Sequence, residues 1–396
     1  HVDSDFYDMP SFLAGKTSLK EIELGLLGNV QGKSILHLQC HFGQDTLSLA
    51  RMGAHATGMD LSDAAISKAR ELNSQLKLDA RFVCCDLYAL PSYLGGEFDL
   101  VINDGDMGSN ILAKNRNIPS LFITNQFRPR LYNSRSYLYP SLIFVAKQIA
   151  KASKILVADS PPPYTMCEYN LNFTKEVKEK IIYVGHFTNS KPVKREKESE
   201  LEKLVKNNEF GYWMRTGNKS TNDGTGQRYE EVFHQQEMKN EKRIVSHARN
   251  DPSIDSVLGK DGKKYSLSEA FERKIDWIQI DIGYLSEQEK DEILDLCEYA
   301  VVNGSHTVMG EIMGGKSKPI IGIPIYDEHT NNIKWAEENN LGVLAIKTNQ
   351  VTHGIARIKE NYDEFEDSLN EFSRNFIPNG AENSAKIAAL SIKEKK

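Results

Sequence analysis

Three stretches of this chain combine glycines, hydroxyls, imidazoles and carboxylates in the pattern that a nucleotide-type ligand requires. In Asn303-Gly-Ser-His-Thr-Val-Met-Gly-Glu311, a glycine is followed by Ser305, His306 and Thr307 at the start of a predicted helix, with Glu311 one turn further on. The open backbone N–H groups at such a helix start receive phosphate oxygens, and a carboxylate one turn on accepts from ribose hydroxyls. Pro324-Ile-Tyr-Asp-Glu-His-Thr-Asn-Asn332 opens a second helix whose Glu328, His329 and Asn332 suit the hydroxyls of a sugar. Thr216-Gly-Asn-Lys-Ser-Thr-Asn-Asp-Gly224 reads as a polar loop after a strand, and its Gly217, Ser220 and Thr221 would share one sheet edge with the other two stretches. A polar loop there is commonplace alone; recurrence with the other two gives it weight.

A second set lies nearer the amino terminus. The loop from Gln39 to Gln44 follows a short apolar run, and Asp60 ends the next such run about twenty residues later, where a carboxylate accepts bonds from both hydroxyls of a ribose. Asp86 ends a third run, placed to meet an adenine amino group. Singly, Asp60 and Asp86 read as strand caps and His41 as a solvated loop histidine; their order along the chain favours a cofactor site. Asn103-Asp-Gly-Asp106 and Thr124-Asn-Gln126 end two further strands. Asp104 and Asp106 are therefore candidates for a base acting on an attacking hydroxyl, and Asn125 and Gln126 for acceptor contacts, against the plainer reading that they satisfy loop amides. His41 is a further catalytic candidate if its loop borders the same cleft. Asp104 and Asp106 also have the spacing of a magnesium site, the less favoured reading. Arg128, Arg130 and Arg135, interleaved with Phe127, Tyr132 and Tyr137, suit a lipid phosphate at a membrane surface, although a solvated loop explains them as well.

These residues need parallel sheets to position them. From Lys33 to Val101 short apolar runs alternate with helical ones: Ser34 to Leu38, Asp45 to Met52, Ala56 to Met59, Asp63 to Leu76, Arg81 to Cys85 and Asp99 to Asn103. That is the alternation of a parallel sheet covered by helices. It continues through Gly108 to Asn115, Ser120 to Thr124, Tyr139 to Lys151, Lys154 to Ala158 and Lys180 to Val184. The Lys/Glu-rich segment Ser190 to Lys206 reads as a connection running into a covering helix, which puts the domain boundary near Thr188. The second domain alternates again, with strands at Phe210 to Met214, Arg243 to His247, Trp277 to Ile280, Ala300 to Val302 and Ile320 to Ile323, and a helix at Gln227 to Gln236. Ser266 with Glu269 and Ser286 with Glu289 have capping-box spacing, and Asp261-Gly262 reads as a tight turn.

The chain has 396 residues, long enough for two domains that each bury a core. Its formal net charge of −6 argues against a whole-protein nucleic-acid binder. The five cysteines lack the close spacing that gathers thiolates around zinc and read as reduced thiols of a cytosolic protein, with or without attachment to the inner face of a membrane. No apolar run reaches the roughly 18 residues of a transmembrane helix, and the start lacks a secretory signal pattern. The chain opens on His1 rather than Met, as a piece of a longer protein would.

Two resemblances meet at Phe98-Asp-Leu-Val101. Ile35-Leu-His-Leu-Gln-Cys-His-Phe-Gly-Gln-Asp-Thr-Leu, Gly58-Met-Asp-Leu-Ser and Phe82-Val-Cys-Cys-Asp-Leu resemble the class I S-adenosylmethionine-dependent methyltransferases over residues 2–101, in the amino-terminal half of that fold only. The resemblance implies Gly43 in the cofactor loop, Asp60 with Leu61 at the ribose and Asp86 with Leu87 at the adenine. The first motif departs from the family in holding His37 and a single glycine. From about Asp99 to Leu390, Gly304-Ser-His-Thr-Val-Met-Gly-Glu-Ile, Lys318-Pro-Ile-Ile-Gly-Ile-Pro, Glu328-His-Thr-Asn-Asn and Asn340-Leu-Gly-Val resemble the GT-B glycosyltransferases, especially the N-acetylglucosamine transferases of peptidoglycan-precursor synthesis and their archaeal relatives. This resemblance implies the uridine ribose on Glu311, the diphosphate on His306 and Thr307, and the sugar on Glu328, His329 and Asn332. The spacings from Thr307 to Glu311 and from Glu311 to Pro319 are each one residue longer than the family pattern.

The expected fold is therefore α/β, with two Rossmann-like domains and parallel sheets in a GT-B-like arrangement. Residues 1–188 form a composite first domain (1–101 methyltransferase-like, 102–188 acceptor-domain-like), joined within a single sheet, and residues 189–396 bind the nucleotide sugar. The favoured activity is metal-independent transfer of a sugar, N-acetylglucosamine by resemblance, from a UDP-sugar to a hydroxyl of a lipid-linked or glycan acceptor. The alternatives are methyl transfer from S-adenosylmethionine to a small molecule, and a nucleotide-binding chimera without turnover.

Overall fold

The computed structural model describes residues 9–19, 24, 29–86, 89, 100–105, 107–132, 137–188, 195, 197–215 and 219–393. The candidates Leu87, Asp106, Arg135 and Gly217 lie outside the described residues, as do Phe98 and Asp99 of the seam; of the side chains of Ser220 and Thr221 nothing is described.

Three parallel-strand layers organise the chain. β1 (Ser34–Leu38), β2 (His55–Asp60) and β3 (Arg81–Cys84) pair in that order as one parallel sheet. β4 (Val101–Asp104), β5 (Ser120–Thr124), β6 (Lys154–Val157) and β7 (Ile181–Tyr183) form a second, also parallel. The third holds β8 (Gly211–Met214), β9 (Arg243–Ser246), β10 (Ser256–Gly259), β11 (Lys264–Tyr265), β12 (Trp277–Ile282), β13 (Tyr299–Val302), β14 (Ile320–Gly322) and β15 (Gly342–Leu344), in the order β11-β10-β12-β9-β8-β13-β14-β15. Only the β10–β11 hairpin and its pairing to β12 are antiparallel, and the Asp261-Gly262 turn closes that hairpin.

The expected single sheet across the seam is not formed: among the described residues no ladder joins β1 to β4. The halves meet through side chains instead, with Leu36 and Leu38 of β1 packing in one cluster with Met59, Val83, Cys85 and Leu112 of the helix Met107–Asn115. A ladder demands a shared register and twist over several residues, whereas apolar packing tolerates unmatched edges.

The core of the last layer is the largest. β8 and β13 are buried at every residue, as strands covered on both faces must be, and Trp213, Tyr212, Tyr229, Trp277 and Tyr299 are its largest enclosed side chains. Both predicted capping boxes are present, at Ser266–Glu269 and Ser286–Glu289. The polar stretch after β8 is not the expected loop, because the helix begins at Lys219 and runs to Phe233. Its Ser/Thr/Asn/Gly composition carries weak helix propensity, and tertiary packing overrides it: a Cβ at Gly226 would collide with the Arg215 guanidinium.

The last helix, Gly380–Lys393, returns to the second sheet, where Ala388 and Ile387 pack with Leu121, Leu156 and Val184. The chain after β7 and the chain before this helix are bound together: His186 N donates to Ile377 O at 2.8 Å and Gly380 N to His186 O at 2.9 Å.

Candidate functional site

Five strand ends converge between the second and third layers. On one side the turn after β13 reaches the helix His306–Met309, and the turn after β14 reaches the helix Asp327–Glu338. Gly304, at φ +95°, lets these two approach, since a Cβ there would stand 2.7 Å from Ile333 Cδ1 and 2.9 Å from His329 Cβ. On the other side lie the ends of β5, β6 and β7.

The two sides are bonded to one another. Asn125 Nδ2 donates to Glu328 Oε1 at 3.4 Å. Asn170 Nδ2 donates to Asn332 Oδ1 at 2.8 Å, Asn331 Nδ2 donates to Asn170 Oδ1 at 2.7 Å, and Asn332 Nδ2 donates to Gly304 O at 3.1 Å. This amide chain is buried throughout, so its members bond one another rather than water, with Asn331 Oδ1 left without a partner. His306 Nε2 reaches across to Asp159 Oδ2 at 2.9 Å, and His186 Nε2 lies 2.8 Å from the other oxygen of the same carboxylate.

Burial alone raises the Asp159 carboxyl, but the imidazoles of His186 and His306 outweigh it and hold it below the ordinary aspartate range. Burial lowers His186, and Asp159 opposes that in part. Burial raises the Glu328 carboxyl, with His306, Asn125 and Gln126 working against the shift. His329 is pushed down to about 4 by burial and is neutral at neutral pH.

The placements of the sequence candidates differ in kind. Glu328 and Asn125 face one another in the cleft, with Gln126 beside them holding the turn through Thr124 Oγ1. Thr307 is exposed and Ser305 half-buried at the helix start. His306 is buried with Nε2 on Asp159 of the other side, Asn332 is buried with Oδ1 accepting from Asn170 across and Nδ2 donating to Gly304 O on its own side, and His329 is buried with Nδ1 unpaired. Glu311 stands apart, in an ion pair with Lys290 at 2.6 Å. It lies on a π-helical turn, Gly310–Gly315, the form that absorbs one extra residue in a helix. Asp104 is exposed at the end of β4, and desolvation by the surrounding protein still raises its carboxyl.

The amino-terminal candidates form a separate place. The loop after β1 holds Gln39, His41 and Gly43 all at positive φ, and a Cβ at Gly43 would strike the Phe82 ring. Asp60 Oδ2 accepts from His41 N at 2.8 Å and Oδ1 from Ser62 N at 2.9 Å, so each oxygen holds one backbone amide and keeps one lone pair. The His41 ring packs on Phe42, while Leu61 and Asp86 are exposed. Of the basic segment, Arg128 donates to Asn172 O and Arg130 lies 3.7 Å over the Tyr169 ring.

Sequence reasoning did not single out Asp159, Asn170, Cys167 or His186. Asp159 and His186 each follow a strand of the second sheet, the only sequence signal they carry; their convergence with His306 spans more than a hundred residues.

Comparison with known proteins divides the chain as its two resemblances do. Residues 35–114 match the methyltransferase domain family, thirteen residues beyond Val101. An uncharacterized glycosyltransferase of Methanosarcina mazei is 29% identical over 175 residues, covering 38% of this chain and 45% of that protein. Its counterpart from Methanosarcina acetivorans is 27% identical over 177 residues, covering 39% and 45%. The chain is a hybrid of the two resemblances. The hybrid spans about 45% of the length of these curated relatives. Its fold is that of the GT-B glycosyltransferases: the structure of Phytolacca americana UGT2 with UDP-2fluoro-glucose and pterostilbene aligns with TM-score 0.56 at 10% identity, over 91% of the hybrid and 100% of that chain. The calicheamicin glycosyltransferase CalG4 aligns with TM-score 0.53 at 13% identity, over 92% and 99%. Among the described residues no helix is long and apolar enough to cross a membrane.

Proposed function

We propose that the hybrid transfers a sugar from a nucleotide diphosphate donor to an acceptor hydroxyl in the cleft between its second and third layers. The observation that carries this reading is the Glu328–Asn125 contact, which brings a donor-side helix start and an acceptor-side strand end to one place. The diphosphate rests on the backbone amides of residues 306 and 307 and the Thr307 hydroxyl, where the helix start favours negative charge, the Ser305 amide being held by Asn303 Oδ1. Glu328 orients the sugar hydroxyls, and Asn332, bonded to Gly304 O, fixes the turn that receives the phosphates. Glu311 meets the ribose only after parting from Lys290. Residues 219–221 supply a further donor contact at the start of their helix.

Transfer proceeds by direct displacement. The acceptor hydroxyl loses its proton to a base and attacks the anomeric carbon, the bond to the diphosphate oxygen breaks, and the leaving charge is held by preorganised amides. Asp104 is the base we favour, because desolvation raises its carboxyl toward useful basicity; Asp106 and His41 are the other candidates. Uridine diphosphate carrying N-acetylglucosamine is the donor, and a lipid-linked or glycan hydroxyl the acceptor, on the strength of the sequence resemblance. The transfer itself needs no metal.

The test is release of uridine diphosphate from the UDP-sugar by wild type and by Glu328→Gln, with at least a tenfold loss of kcat/KM expected in the variant. Equal rates sink the site assignment. A second reading, methyl transfer, is favoured by the domain match at residues 35–114 and the glycine-bearing loop of Gly43. Thermal shift separates the readings: a ligand at 100 times its Kd stabilises by about 2.7 kcal/mol. A shift with S-adenosylmethionine alone favours the methyl-donor reading, binding of either without product favours a chimera that has lost turnover, and a shift with neither defeats both donors.

A further inference from the structure

We propose that Asp159, supplied by the side of the cleft opposite the donor, is a positioning residue that holds the His306 ring as a cation against the donor diphosphate. The role rests on the donor placement proposed above and deepens it. His306 begins the helix after β13, and Asp159 lies two residues past β6. Their contact, Nε2 to Oδ2 at 2.9 Å, joins the two sides of the cleft.

The carboxylate is oriented by its own side before it meets the ring. Ser160 N donates to Oδ1 at 2.7 Å and Cys167 N to Oδ2 at 2.8 Å, and Asp159 is fully buried. The two imidazoles hold its carboxyl below the ordinary aspartate range, so it stays ionised and can only accept. Nε2 of His306 therefore carries a proton in either charge state of the ring, and Nδ1 is the nitrogen left for another partner. Nδ1 has no hydrogen bond among the described residues.

The groups packed around this pair do not take its place. His186 is 1% exposed, stacks on His306 at 4.9 Å and 14°, and is covered on its other side by Phe376 at 4.4 Å. A Cβ at Gly310 would stand 2.9 Å from His186 Nδ1, so this ring is enclosed, and burial pushes it toward the neutral form. Its stack fixes the plane of His306. The Cys167 thiol is held protonated by burial and by Asp159, and adds no charge. Glu328, on the cleft side, is close enough for His306 to draw its carboxyl down.

The chemistry follows from a ring placed between two anions. With Nε2 on the Asp159 carboxylate, a diphosphate on the amides of residues 306 and 307 lies within reach of Nδ1 of the same ring. Nδ1 takes a proton from solvent, and a charge-assisted bond replaces lone-pair repulsion. As the anomeric bond breaks, the positive ring offsets the charge gathering on the diphosphate, and the proton returns to solvent when the nucleotide leaves. Because the carboxylate comes from the opposite side, this cation is complete only while the two sides are joined.

The test is calorimetric titration of uridine diphosphate into the whole chain between pH 6 and pH 9, in buffers of different ionisation enthalpy, which counts the protons taken up on binding. Wild type is expected to take up at least about 0.3 proton per nucleotide above about pH 7.5, where the diphosphate is itself ionised. His306→Gln keeps a neutral donor and is expected to lose that uptake, with about a tenfold loss of affinity. Asp159→Asn keeps the shape of the contact without its charge and is expected to move the uptake to lower pH and raise KM for the UDP-sugar. A merely structural Asp159 would lower affinity and leave the proton count as in wild type, which overturns the positioning role. The wild-type count stands whether or not the variants fold. Binding without uptake in wild type, or equal uptake in His306→Gln, overturns the charged ring and leaves the donor site. Absence of uridine diphosphate binding overturns the donor site and the charged ring with it.

Discussion

His329 sits beside the turn at Gly304, where a single absent Cβ lets the helix Asp327–Glu338 approach that turn. Its buried ring, pushed down to about 4 from 6.5, binds a proton less readily in the folded chain than in the unfolded one. Its contribution to stability is therefore complete above pH 6.5 and is lost as pH falls toward 4. The full shift corresponds to about 3 kcal/mol. In His329→Gln this part of the acid dependence disappears, so the stability gap between wild type and variant narrows or reverses by that order between pH 7 and pH 4. Urea unfolding at a series of pH values checks this, and a constant gap refutes it. The sequence marked this ring as a candidate sugar contact; its burial was not legible, because burial depends on the turn at Gly304 and the helix of His329 coming together.

At the scale of elements, the amide chain Asn331–Asn170–Asn332 joins one helix of the third layer to a short helix of the second. Removing its centre by Asn170→Ala leaves Asn332 Oδ1 without its donor and takes one of two bonds from Asn331 Nδ2, which keeps Arg130 O, a loss of about 2–3 kcal/mol. Denaturant titration is expected to show this without a change in the far-ultraviolet spectrum, since no helix depends on Asn170 for its cap. The π-turn at Gly310–Gly315 falls where the spacing on each side of Glu311 is one residue longer than the family pattern, and the Glu311 carboxylate on it pairs with Lys290. The helix from Lys219 was hidden for the opposite reason. Local composition argued for a loop, and the packing of Gly226 against Arg215 that permits the helix is invisible along the chain.

For the whole molecule, the missing ladder at the seam has a thermodynamic consequence. Residues 34–84 and the GT-B layers meet in an apolar cluster in which Leu36, Leu38 and Leu112 pack against Met59, Val83 and Cys85, without shared strand bonds among the described residues. Differential scanning calorimetry is expected to resolve two transitions, the one assigned to the amino-terminal sheet moving only with S-adenosylmethionine and the other only with uridine diphosphate. A single transition shifted equally by either ligand refutes that independence. The sequence by itself determined the strand and helix periods, both capping boxes and the two resemblances, because those are local patterns or contiguous motifs. Only the tertiary structure decided that the first sheet meets the second by packing, with no ladder among the described residues, that Glu328 meets Asn125, and that Asp159 gathers His186 and His306. Each of these depends on segments far apart in the chain, whose approach is set by how whole sheets pack and not by any residue's neighbours in sequence.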